Sequence, residues 1–218
     1  MRMLLGLGVL TLATLAVFAL WPQIDIDVAH AFYSDGGFIG HTALERGGRD
    51  FFNMTPFAVL AAFAALYALR RFGVAVPYAP TTRGLVFLIA TMAIGPGLVV
   101  NLGLKDHAHR PRPIQTTEFG GPFEFRPWYR FDGACRHNCS FVSGEGSEAF
   151  WMVAPASLAP PPLQAPAVAG ALLFGVLAGL LRMAFGGHYL SDVLLAGLIT
   201  LTIVRSVRML LFADRDPS

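Results

Sequence analysis

Five strongly apolar stretches and one weaker one divide the chain, and the polar residues collect in the gaps between them. The clear stretches run over 3–21, 52–69, 85–104, 167–185 and 189–212. Each is close to the roughly 20 residues that a helix needs to cross the hydrocarbon of a bilayer. The third carries Gly95-Pro96-Gly97 and is expected to kink there. The weak stretch, 147–159, is short, contains Pro155 and stops at Pro160-Pro161-Pro162. It serves as a span only if its outer end begins near Glu145, in a polar cavity rather than in lipid. The pattern predicts an all-α integral membrane bundle of about six transmembrane helices. Small residues suited to signal-peptide cleavage are not obvious before Trp21-Pro22, so 3–21 is expected to be an uncleaved anchor. One domain is expected over 1–218, with its chemistry-bearing core at 85–212.

Composition points the same way. Hydrophobic residues make up 55% of the chain and charged residues 14%, against roughly 25% charge in a soluble domain. With a mean hydropathy of +0.56, both a free globule and a disordered chain are excluded. The net charge of +2, without a basic run, offers nothing to a nucleic acid. Arg2 precedes the first stretch, Arg70, Arg71 and Arg83 border the link between the second and third, and Arg205, Arg208 and Arg215 sit at or beyond the end of the last. In a six-span path these lie on one side, which is therefore the cytoplasmic one. Segments 22–50 and 105–146 then face outward. Cys135 and Cys139 both fall in the second of these, where they would form a small disulfide, stay free, or with His137 make half of a metal site.

Three polar clusters interrupt the oily chain, all at the outer ends of spans. The first is Lys105-Asp106-His107-Ala108-His109-Arg110-Pro111-Arg112-Pro113, which holds the only lysine among 16 basic residues. The second is Ser140-Phe141-Val142-Ser143-Gly144-Glu145, and the third runs from Arg182 through His188 to Asp192. Ionisable groups near hydrocarbon are costly and by default functional or paired. Lys105, Arg112 and Arg182 supply three cations whose donors suit phosphate oxygens. Ser143 and Gly144, just before a helix start, add a hydroxyl and backbone N–H groups in an anion cradle. If the last helix begins near His188, Asp192 lies on the same face. Its carboxylate can then accept a proton from one ring nitrogen and leave the other as nucleophile or base.

Lys-x6-Arg-Pro, then Ser-Gly followed by an acid–base residue, then Arg-x5-His-x3-Asp, resembles the type 2 phosphatidic acid phosphatase (PAP2) superfamily, which also includes vanadium haloperoxidases. The likeness runs from Lys105 to Asp192. It implies a PAP2-type helical core and a phosphatase with no metal and no cofactor. His188 would attack phosphorus and form a phosphohistidine, Asp192 would support it, and Lys105, Arg112 and Arg182 would bind phosphate beside Ser143 and Gly144. It also implies a bacterial inner-membrane protein, multi-pass, with its site facing the periplasm.

The chain departs from the family pattern twice: Leu181 stands where Ser precedes the arginine, and Glu145 stands where the second motif has its general-acid His. A carboxylic acid does that work when burial lifts its pKa, while neighbouring cations push the other way. His107, His109 and His137 are the alternatives for that role. Partners are the bilayer and a lipid phosphate of the outer leaflet, of the lipid A, undecaprenyl diphosphate or phosphatidylglycerophosphate type. The Ser-Phe-Val-Ser-Gly-Glu variant looks like phosphatases acting on lipid A. A non-hydrolytic anionic-lipid binding or transport protein, or a degenerate family member, is the rival reading.

Overall fold

The computed structural model describes residues 1–105 and 107–213; Asp106 and Arg215, used above, lie outside them. Among the described residues the helices are α1 (Arg2–Leu20), α2 (Gln23–His30), α3 (Ala43–Arg71), α4 (Thr82–Met92), α5 (Gly144–Phe150), α6 (Val153–Ala156), α7 (Pro161–Ala184) and α8 (Leu190–Phe212). Among the described residues, sheet is confined to a hairpin of two two-residue strands, Tyr33–Ser34 against Gly37–Phe38. The protein is an all-α membrane bundle. Arg2–Leu20, Ala43–Arg71, Thr82–Leu104, Pro161–Ala184 and Leu190–Phe212 are long and apolar enough to cross a bilayer.

The weak stretch does not form one continuous helix. It is α5 and α6 joined through Trp151 and Met152, running from the Lys105 end of the bundle to the opposite end, where Leu158, Leu211 and Phe212 pack against one core cluster. A segment this short passes through because it is walled by protein rather than lipid: Trp151 and Ala154 are fully buried. Its polar groups are met inside the bundle. Trp151 Nε1 donates to Thr91 Oγ1 at 2.9 Å, and the Ser147 and Thr200 hydroxyls lie 2.7 Å apart. Small residues let the neighbours close in: a Cβ on Gly175 of α7 would fall 2.4 Å from the Phe150 ring, and one on Gly179 2.3 Å from Val193.

Two other boundaries differ from the hydropathy pattern, and both carry residues to the site. The second span begins at Ala43 rather than 52, because Thr42 caps it: Thr42 N–H donates to Glu45 Oε2 at 2.9 Å while the Thr42 hydroxyl accepts from Glu45 N–H. Its first turns are polar and include Arg49. The third span runs through Pro96 without a break in helical structure. Beyond Met92 the helix widens into a π-helical winding, Ala93–Leu104, in which Lys105 N–H reaches back five residues to the Val100 carbonyl at 3.0 Å. A proline that lacks its own N–H is accommodated by this wider winding, which delivers Asn101 and Lys105 beside Gly144.

Candidate active site

At one end of the bundle, four pieces of chain bring together the residues that the motifs singled out. They are the tail of the π-helical segment with its following loop, the start of α5, the last turn of α7 and the link into α8. A Cβ on Gly144 would lie 2.6 Å from Asn101 Oδ1 and 3.3 Å from Lys105 Nζ, so glycine alone lets this backbone sit against the lysine. The Ser143 hydroxyl accepts from Gly146 N–H at 3.1 Å and caps α5. Arg112 lies in the loop after Lys105, its Nε donating to the Asn138 carbonyl at 2.9 Å.

Arg182 is only 4% exposed, and its Nε has no hydrogen-bond partner among the described residues. Glu145 Oε2 approaches that nitrogen at 3.4 Å without making a hydrogen bond. A buried donor left unused is expensive, and here it sits in a cationic cluster with Lys105 and Arg112. The arrangement suits a tetrahedral oxyanion.

His188 is buried in the link between α7 and α8. Its Nδ1 lies 2.7 Å from the Ser140 carbonyl. A carbonyl only accepts, so Nδ1 carries the proton and the Nε2 lone pair is left for attack. Burial, and then the charges of Arg182 and Arg112, hold the ring's pKa well below its ordinary value, so the imidazole is neutral. The expected direct bond from Asp192 is absent. Asp192 Oδ2 stands 3.9 Å from Nδ1, because α8 begins at Leu190 and His188 precedes its first turn. Ser140 joins the two instead: its carbonyl accepts from the imidazole and its hydroxyl donates to Asp192 Oδ2.

Asp192 is fully buried and also accepts from Tyr189 N–H at 2.8 Å and from Arg110 Nη1 at 2.6 Å. Arg110 is fully buried too; its Nη2 donates to Asp25 Oδ2 at 2.7 Å, and its guanidinium lies 4.4 Å above the Tyr189 ring. Asp25 in turn accepts from Ser191 N–H at 2.9 Å. Sequence reasoning left Asp25, Arg110, Ser140 and Ser191 unassigned. Arg110 stood in the first polar cluster, but nothing in the sequence signals its pairing with a carboxylate 85 residues away.

Glu145 is gripped by Arg49, which the motifs do not include: Nη2 donates to Oε1 at 2.6 Å and Nε to Oε2 at 3.0 Å. Burial pushes the Glu145 carboxyl up, but Arg49, Arg182 and Lys105 outweigh it, and the net pKa is lowered. Of the alternative acids, His107 and His137 are exposed. His109 is tied up through Nδ1, 2.9 Å from the Cys135 carbonyl. Cys135 and Cys139 are joined by a disulfide that closes this part of the loop. Among the described residues no group of three or more His, Cys, Asp or Glu could hold a metal ion.

The PAP2 superfamily matches residues 83–215, and the chain belongs to it. The match contains the lysine, both motif arginines, the imidazole and the carboxylate described above. Among curated proteins the chain is similar to a lipid A 4'-phosphatase of Francisella tularensis subsp. novicida, 32% identical across 99% of this chain and 98% of that protein. Two more proteins of that name, from Rhizobium etli and Rhizobium leguminosarum, are each 34% identical across 88% of this chain, and across 80% and 88% of their own lengths. No solved structure matches. The chain is a metal-independent membrane lipid phosphatase.

Proposed function

We propose that the protein removes the 4'-phosphate of a lipid A-type glycolipid at the periplasmic face of the bacterial inner membrane, by way of a phosphohistidine. The observation that carries the chemistry is a buried, neutral imidazole protonated on Nδ1, beside an arginine whose Nε has no hydrogen-bond partner among the described residues. Nε2 of His188 attacks phosphorus in line while Lys105, Arg112 and Arg182 neutralise the equatorial oxygens. The P–O bond to the lipid breaks, and the departing oxygen leaves as an alcohol by taking a proton from Glu145, whose carboxylate takes that proton up from solvent as the phosphate binds. Water then attacks the phosphohistidine and passes its proton to the Glu145 carboxylate. Phosphate departs and the imidazole is restored. Asp192, through Ser140, keeps the ring in the tautomer that can attack.

The lipid A choice rests on the three relatives named above and on their coverage of nearly the whole chain. The test is phosphate release from purified lipid A, undecaprenyl diphosphate and phosphatidylglycerophosphate, by wild type and His188→Ala, in excess EDTA. Lipid A should be hydrolysed by the wild type and by less than about a thousandth of that rate in the variant, a loss expected when a nucleophile is removed. Preference for either other lipid would overturn the substrate assignment. An active His188→Ala protein would overturn the mechanism.

A further inference from the structure

Glu145 and Arg49 form a close ion pair at the site, at 2.6 Å, and the motifs leave Arg49 without a role. Arg49 comes from the polar first turns of α3, outside the region that matches the superfamily. Its side chain is 42% exposed, whereas that of Glu145 is 20% exposed. The carboxylate has Arg49 on one side and Arg182 Nε at 3.4 Å on the other. It also feels the charge of Lys105, while Arg112 feels the charges of both Glu145 and Arg49. The Glu145 carboxylate therefore sits among four cations from three parts of the chain: α3, the first motif and α7.

We propose that Arg49 is a fourth phosphate-binding cation, held by Glu145 in the resting protein and passed to the phosphoryl oxygens when substrate arrives. The inference rests on the phosphatase reading and deepens it. A phosphate dianion carries more charge than a carboxylate and offers more acceptor oxygens to a guanidinium fork. Arg49 is also the most exposed of the four cations, and the exchange needs only a side-chain movement. Losing Arg49 and gaining an anionic neighbour both favour the protonated carboxyl of Glu145. The groups facing that carboxyl are Arg49 from α3, Lys105 and Arg112 from the first motif, Arg182 from α7 and Glu148 from its own helix. Substrate binding thus arms the acid that the resting ion pair keeps ionised.

The test measures binding of inorganic phosphate and orthovanadate to the purified full-length protein by calorimetry, and needs no turnover. Arg49→Gln should weaken both anions about tenfold or more, and Arg49→Lys should recover part of the loss. Glu145→Gln should tighten both, because Arg49 is released. The double variant should bind as weakly as Arg49→Gln alone. Arg46→Gln, one turn earlier and bonded to the His41 carbonyl, should leave anion binding within twofold. If Arg49→Gln left anion binding unchanged while lowering the melting temperature, the pair would be a tie between α3 and α5 and the proposal would fail. It would fail equally if Glu145→Gln weakened anion binding. Absence of lipid phosphatase activity in a wild type that shows this binding pattern would sink the phosphatase reading and leave the Arg49 exchange standing.

Discussion

His188 shows how one buried ring is prepared by its surroundings. Desolvation disfavours the imidazolium, and Arg182 and Arg112 add positive potential, so its pKa is lowered. The sign has a direct consequence. A group with a lowered pKa stays neutral as pH falls through the usual range of histidine, about 6.5, so the nucleophile remains available in mildly acidic conditions. In isotope-labelled protein the His188 ring signals should keep their neutral-form shifts from pH 7.5 down to about 6. A titration at or above about 6.5 would show that the ring is more solvated than the structure has it. Glu145 has the opposite tension, with burial raising it and three cations lowering it further.

At the scale of elements, the site depends on a short helix that hydropathy does not see. α2 follows the anchor helix and brings Asp25 to Arg110 and to Ser191 at the start of α8. The Asp25–Arg110–Asp192 chain is fully buried, with every charge paired across different parts of the fold. Removing one partner of such a network leaves an uncompensated charge and costs about 3 kcal/mol or more. Asp25→Asn, nearly the same shape, should lower stability by about that amount in chemical denaturation in detergent. It should also lower kcat more than it raises KM, since Asp192 and Ser140 set the ring rather than grip substrate. An Asp25→Asn protein of unchanged stability would mean that Arg110 needs only Asp192. The same scale explains Glu145: the Thr42 cap begins α3 early enough to bring Arg49 level with α5.

Across the whole molecule, cations collect at both ends for different reasons. Arg70, Arg71, Arg83, Arg205 and Arg208 mark the end where α3 and α8 finish and α4 starts. Lys105, Arg112, Arg182 and Arg49 mark the opposite end, where they surround the site. The positive-inside rule, applied to the proposed topology, puts the first set on the cytoplasmic side; that topology counts the α5–α6 passage as a sixth crossing beside the five long apolar helices. A green fluorescent protein fused after α8 should therefore fluoresce, and alkaline phosphatase fused at the same point should be inactive. A fusion within 113–139 should behave the other way round. The reverse pattern would turn the site to the cytoplasm and remove the periplasmic assignment.

The sequence by itself determined the membrane class, the five long apolar helices and the motif residues, because these rest on composition and on spacing within single segments. Apolar runs are legible along a chain, and so are Lys105 to Arg112 and Arg182 to Asp192. Only the tertiary structure decided who partners whom. It placed Ser140 between His188 and Asp192, Arg110 between two carboxylates, and Arg49 against Glu145. It also showed that the weak apolar stretch forms two short helices walled by protein. Each of these depends on contacts between residues far apart in the chain, where burial and charge are properties of the assembled bundle and leave no local pattern to read.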